Sequence, residues 1–90
     1  MKITSVNNDI VKETAKLQQK KYREESGLFL LEGEKCIKEA IECGIEIVRL
    51  FYIEEHEFQC KTEYIETTEA VLSKISSTAT APKVVAVGKQ

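Results

Sequence analysis

The segment Lys20-Lys21-Tyr22-Arg23-Glu24-Glu25-Ser26-Gly27-Leu28-Phe29-Leu30-Leu31-Glu32-Gly33-Glu34-Lys35 constrains the fold more than any other. A basic helical stretch breaks at Glu24-Glu25-Ser26-Gly27 and leads at once into four consecutive apolar residues, which stop at Glu32-Gly33. So short a continuous apolar run reads as a strand covered on both faces, and such a strand needs a packed layer on each side of its sheet.

The flanking sequence supplies those layers. Asn7 or Asn8 is a natural N-cap for a helix beginning near Asp9, whose carboxylate suits the positive helix end. Along one continuous helix from there, Ile10, Thr14 and Leu17 cluster on one face with Val11 and Ala15 beside them. Lys12, Lys16, Lys20 and Arg23 fall within about an 80° arc on the far side. After the apolar strand, Glu34 to Cys43 reads as a second helix with Ile37, Ala40 and Ile41 inward, closed by Gly44. Ile47 to Ile53 is β-branched and aromatic, so residues 28–53 read as strand, helix, strand in a right-handed crossover with parallel strands. A weaker strand is expected around Glu63-Tyr64-Ile65-Glu66. A third helix capped by Thr67 or Thr68 turns Val71, Leu72 and Ile75 inward. Ser76-Ser77-Thr78-Ala79-Thr80-Ala81-Pro82 is a loop, and Val84-Val85-Ala86-Val87 a last buried strand. Four strands interleaved with three helices predict an α/β fold, a three-layer α/β/α sandwich around a small mixed four-stranded sheet.

Ninety residues allow one domain, residues 1–90, with a single core. No run of 18 apolar residues exists and Met1-Lys2-Ile3-Thr4-Ser5 leads directly into polar Asn7-Asn8-Asp9, so no membrane span or signal peptide is expected and a cytoplasmic location is the default. Cys36, Cys43 and Cys60 have no Cys-x-x-Cys spacing and the single histidine is His56, which argues against metal. Seven residues apart on one helix, Cys36 and Cys43 are separated by roughly 10 Å, beyond disulfide reach. Reduced, buried or partly buried thiols are expected.

The net charge of −2 conceals an asymmetry: residues 1–23 carry six basic and two acidic groups, and the remainder seven basic and thirteen acidic. A positive segment on an acidic body still docks phosphate locally, because a screening length of ~8 Å at physiological salt hides distant charge. Lys12, Lys16, Lys20, Lys21 and Arg23 are therefore candidate phosphate contacts, with a solvated lysine face as the alternative. Arg23 stands out for its planar fork, which holds a phosphate bidentately and stacks on an unpaired base. Tyr22 reads as a stacking face or as half-buried packing. Gly33 and Lys35 sit where a strand's carboxyl end meets a helix N-terminus, the ligand edge of open α/β sheets. Glu32 reads equally as a cap on a neighbouring backbone or as a partner of Arg23 or Lys21. Ser76, Ser77 and Thr78 offer hydroxyls to phosphate or ribose, and turn chemistry explains them as well. No catalytic constellation is visible, and His56 reads as an exposed loop residue.

Taken in order, Ile3-Thr4-Ser5-Val6-Asn7-Asn8, Val11-Lys12, Lys16-Leu17, the Lys20–Lys35 segment, Ala40, Gly44, Ile47 to Phe51 and Ser76-Ser77-Thr78 to Pro82 resemble the N-terminal substrate-binding domain of the SpoU (TrmH) family of RNA ribose 2′-O-methyltransferases. Lys83-Val84 follow Pro82 where that family often has glycine. The resemblance implies the fold of kink-turn-binding ribosomal proteins, and RNA contact by the basic helix, by Gly33, Lys35 and Lys38, and by the Thr78 loop. It implies a non-catalytic module that positions RNA, ribosomal RNA in the first place, for a separate catalytic domain. That knotted domain, absent from these 90 residues, would bind S-adenosylmethionine and form a homodimer, leaving the 90-residue chain monomeric and without a cofactor of its own. Two alternatives stay open: a stand-alone kink-turn or ribosome-associated RNA-binding protein, and a protein-interaction domain that uses the acidic body.

Overall fold

A computed structural model describes residues 1–54, 56–77 and 82–89. Helix α1 (Asp9–Ala15) opens on Asn8, whose Oδ1 accepts the Ile10 N–H at 2.8 Å. A 3₁₀ turn (Lys16–Gln18) follows, then α2 (Lys20–Ser26), β1 (Leu28–Glu32), α3 (Glu34–Glu42), β2 (Glu46–Tyr52), β3 (Glu63–Glu66), α4 (Glu69–Ile75) and β4 (Val84–Lys89).

The single long helix expected between Asp9 and Arg23 is instead three pieces, broken at Gln19, which is extended with φ −100° and ψ 131°. Amphipathicity accounts for the break. Val11, Thr14 and Leu17 point inward and are buried, but the next positions on that stripe are Lys20, Lys21 and Glu24. A continued helix would have nothing apolar to hold it on the core. The second correction lies at the other end of this region. Glu24-Glu25-Ser26 do not end the helix; α2 runs through Ser26 and closes on Gly27, whose φ of 73° is left-handed and whose N–H donates to Arg23 O at 2.9 Å.

The sheet order is β1-β4-β2-β3, with β4 antiparallel to both neighbours and β2 parallel to β3. Strands β1 and β2 therefore point the same way, as the crossover reading requires, but they are not neighbours, because β4 lies between them. Its sequence explains why: Val84 to Val87 are all buried, so this strand belongs at the centre with cover on both faces. Gly88 continues it where space is short. A Cβ there would come within 2.9 Å of Phe29 Cζ and 3.1 Å of Leu31 Cδ1.

The core is divided by the sheet. On one face Val11 of α1 and Val71, Leu72 and Ile75 of α4 meet Phe51, Ile65 and Val85. On the other, Ile37 and Ala40 of α3 meet Leu31, Leu50, Val84 and Ala86. This is the expected three-layer arrangement with a mixed four-stranded sheet. Helix α3 ends as its glycine foretold: Gly44 has φ 81°, and the N–H groups of Gly44 and Ile45 donate to Ile41 O and Ala40 O at 3.1 and 3.0 Å. The N-terminal residues extend the β3 edge, with Ile3 N–H donating to Glu66 O at 2.9 Å and Thr67 Oγ1 donating to Ile3 O at 2.6 Å.

Two side-chain expectations are corrected. Cys36 and Cys43 are exposed and only Cys60 is half-buried, since the inward stripe of α3 is Ile37, Ala40 and Ile41 and the two cysteines lie beside it. His56 is not an exposed loop residue. It is half-buried, stacked on the Tyr64 ring at 4.9 Å and edge-on to Tyr52 at 4.8 Å, and its Nδ1 accepts the Phe58 N–H. Tyr64 is held beneath it by donating to Cys60 O at 2.7 Å. Burial, then the hydrogen bond with the Cys60 thiol, pushes the Tyr64 hydroxyl above the usual tyrosine value.

Candidate nucleic-acid interface

The break at Gln19 shapes the surface that carries the basic residues. Gln18 Nε2 donates to Lys74 O at 2.8 Å, fastening the 3₁₀ turn to the end of α4. Arg23 Nη1 donates to Leu17 O at 2.9 Å, satisfying a carbonyl that the interrupted helix leaves over. That bond fixes the guanidinium and leaves its other N–H donors available.

Three depressions follow one another across this surface. The first, about 510 Å³, is lined by Lys12, Lys16, Gln18 and Lys74 among others. The second, about 330 Å³, is lined by Gln18, Arg23, Phe29, Glu32 and Ser77. The third, about 600 Å³, is lined by Lys20, Arg23, Glu24, Gly27 and Phe29. Gln18 is shared by the first two, and Arg23 and Phe29 by the last two, so together they make one shallow groove running from α1 and α4 past the outer edge of β1. Lys12, Lys16, Lys20 and Arg23 are thus gathered along a common path, by a turn rather than by one helical face.

Their charges are largely uncommitted. Among the described residues, no carboxylate lies within ion-pair distance of Lys12, Lys16, Lys21, Arg23 or Lys35. Lys20 has only the exposed Glu24 at 3.7 Å, a contact of little energetic weight. Lys21 lines none of the three depressions; its ammonium stands 5.8 Å from the Tyr22 ring centroid, with Lys16 at 5.4 Å, and Tyr22 itself is half-buried.

At the carboxyl end of β1, Glu32 acts as a cap and not as a partner of Arg23 or Lys21. Its carboxylate accepts from Ser76 Oγ, from Ser77 Oγ and from the Ser77 N–H, the last at 3.0 Å. Gly33 follows with φ 99° and its N–H on Val84 O at 3.0 Å, and Lys35 is exposed one residue into α3. Lys38 is occupied by Glu34 at 2.9 Å, a hydrogen bond and charge contact that raise its ammonium above the ordinary lysine value. Thr78 lies outside the described residues. Lys74 and Gln18 went unnoticed in the sequence: one is 56 residues from the other, and only the folded chain brings them together. No group of three or more His, Cys, Asp or Glu suited to a metal ion occurs among the described residues, and no described helix is long and apolar enough to cross a membrane.

Comparison with known proteins decides what this architecture is. A family profile described as the MRM3-like substrate binding domain matches residues 8–86. The chain belongs to this family. Among solved structures it is similar to an RNA 2′-O ribose methyltransferase (30% identity, TM-score 0.87), covering 99% of this chain and 37% of that one. It is also similar to an rRNA methyltransferase from Sinorhizobium meliloti (29%, TM-score 0.83), covering 100% of this chain and 37% of that one. The SpoU methyltransferase AviRb from Streptomyces viridochromogenes shares the fold at 24% identity and a TM-score of 0.77, over 93% of this chain and 36% of that one. The chain therefore spans little more than a third of the length of these structures. No curated protein matches it significantly.

Proposed function

We infer that this MRM3-like domain recognises RNA through the groove from Lys12, Lys16 and Lys74 past Arg23 to Lys20, and orients it for methylation of a ribose 2′-hydroxyl by the whole protein. The observation that carries this reading is the groove itself: three adjoining depressions whose cations, Lys20 apart, have no ion pair among the described residues, in a domain whose family is defined by substrate binding. Each phosphate neutralised there releases a counterion, and Arg23, already oriented by Leu17 O, can hold a phosphate bidentately. Gly33 and Lys35 extend the contact along the carboxyl end of β1. Ribosomal RNA is the substrate class favoured by the similarity to the Sinorhizobium meliloti enzyme. In this reading the methyl donor belongs to the remainder of the whole protein, as supported by a structure of that enzyme with AdoMet bound. The test is fluorescence anisotropy with labelled fragments of ribosomal RNA. Arg23→Gln should weaken binding by roughly ten- to a hundred-fold, the equivalent of the 1.5–3 kcal/mol typical of hydrogen bonds to charged groups, whereas Lys61→Gln, at a residue that lines none of the three depressions, should leave it unchanged. Equal affinities for both variants and wild type would overturn the reading.

A further inference from the structure

Beside the groove, and sharing Lys16 with it, is a pocket of about 310 Å³ lined by Glu13, Thr14, Leu17, Tyr22, Glu25 and Arg49, with Ser26 and Leu28 completing the wall. Arg49, in the middle of β2, is an unusual residue to find there. Among the described residues its Nε is buried with no hydrogen-bond partner, and the guanidinium makes a single long contact, Nη1 to Thr14 Oγ1 at 3.4 Å. Thr14 already donates its own hydroxyl hydrogen to Ile10 O at 2.7 Å, so it offers only a lone pair. Among the described residues no carboxylate lies within ion-pair distance of Arg49, although Glu13 and Glu25 line the same cavity. Arg49 is half-buried, and a guanidinium whose Nε is shut off from water without a partner is poorly compensated and favours added acceptors.

We propose that this pocket takes the base of an unpaired guanosine from the RNA, with Arg49 donating to O6 and N7 and the carboxylates of Glu13 or Glu25 accepting from N1–H and the N2 amino group. The inference rests on the RNA reading above. The carboxylates argue against a phosphate as occupant, because they would repel it. Tyr22, Leu17 and Leu28 offer the apolar and aromatic surface that a flat base requires. Guanine alone among the four bases presents two adjacent acceptors on one edge and two adjacent donors on the next, which matches a guanidinium facing carboxylates across one cavity. Lys16, common to the pocket and the groove, marks where a strand following the groove would turn its base inward.

The test is titration of the 90-residue chain with GMP, AMP, CMP and UMP in turn, followed in ¹H–¹⁵N spectra that include the Arg49 Nε–H. GMP should give saturable shifts at Tyr22, Ser26, Leu28 and Arg49, with an apparent affinity about ten-fold above the other three, as expected for one bidentate arginine–guanine contact. Arg49→Gln should abolish them. All four nucleotides carry the same phosphate and ribose, so equal shifts would mean anion binding only and would overturn the proposal, as would the absence of saturable shifts with GMP. The comparison on wild type decides the matter even where Arg49→Gln fails to fold. If RNA binding keeps its dependence on Arg23 while GMP selectivity is absent, the pocket reading falls alone. If both are absent, the RNA reading falls with it.

Discussion

Glu32 and Ser77, 45 residues apart in sequence, are joined by the Ser77 N–H donating to Glu32 Oε1 at 3.0 Å and by the Ser77 hydroxyl donating to Oε2. Ser76 Oγ donates to the same carboxylate. The end of β1 thereby anchors the segment that leaves α4, at the point where both border the groove. Glu32→Ala should cost about 1 kcal/mol, the low end of the penalty for stranding a buried polar group, since of its donors Ser76 is buried and Ser77 exposed. It should also speed hydrogen exchange at the Ser77 amide. Glu32→Gln, which keeps an acceptor oxygen, should fall between the two. An unchanged melting curve and unchanged Ser77 exchange in Glu32→Ala would show that the anchor is without effect.

Gly88 is predicted to accept a side chain only at the cost of displacing the tips of Phe29, Leu31 and Ile45. Gly88→Ala would place a methyl 2.9 Å from Phe29 Cζ and 3.2 Å from Ile45 Cγ2, an overpacking expected to destabilise by roughly 1–3 kcal/mol. Adding Phe29→Leu should recover part of that loss in chemical denaturation. A Gly88→Ala variant as stable as wild type would contradict the packing described for the β1–β4 pair.

Much of this fold is legible in the sequence because local pattern and tertiary need agree. The Asn8 cap, the Gly44 terminator, the buried run of β4 and the inward stripe of α3 all follow from side chains acting on their own neighbourhood. What was not legible depends on long-range competition. Lys16 to Arg23 have the composition of a continuing helix, and only the lack of an apolar anchor beyond Leu17 breaks it at Gln19. Insertion of β4 between β1 and β2 is a matter of topology that no local window contains. The groove was half legible: its lysines were evident, but Lys74 and Gln18 join them only through the contact between the 3₁₀ turn and α4. Arg49 was passed over because an arginine within an apolar strand reads as an ordinary outward position.

Tyr64 makes stability depend on pH at the alkaline end. Its hydroxyl is raised above 10.0 in the folded chain, chiefly by burial, so the neutral form is the one the fold favours. The contribution is fully present below the unfolded value of 10.0 and is lost as pH rises through the higher folded value. Denaturation midpoints of wild type should therefore decline more steeply than those of Tyr64→Phe as pH rises from 10.0 through that folded value. Parallel curves for the two proteins would remove Tyr64 as the cause.

The cysteines should differ in accessibility. Under native conditions Cys36 and Cys43, being exposed, should react promptly with a thiol reagent such as Ellman's, and Cys60 more slowly. All three should react at similar rates in denaturant. Three equally fast thiols in the native protein would mean that the Cys60–Tyr64 packing is not maintained in solution.

The central claim is that the groove cations hold RNA backbone. Its most direct test is the salt dependence of binding for wild type and for the triple variant Lys16→Gln, Lys20→Gln and Arg23→Gln, measured on one ribosomal RNA fragment. Three lost phosphate contacts should flatten the slope of log affinity against log salt by about 2 to 3 units, at roughly 0.7 to 0.9 per phosphate. The three side chains should contribute little to folding, since surface substitutions usually stay within ~0.5 kcal/mol, apart from the Arg23–Leu17 bond. A flattened slope with a nearly unaltered melting curve is the predicted result; wild-type affinity and slope in the triple variant would contradict it.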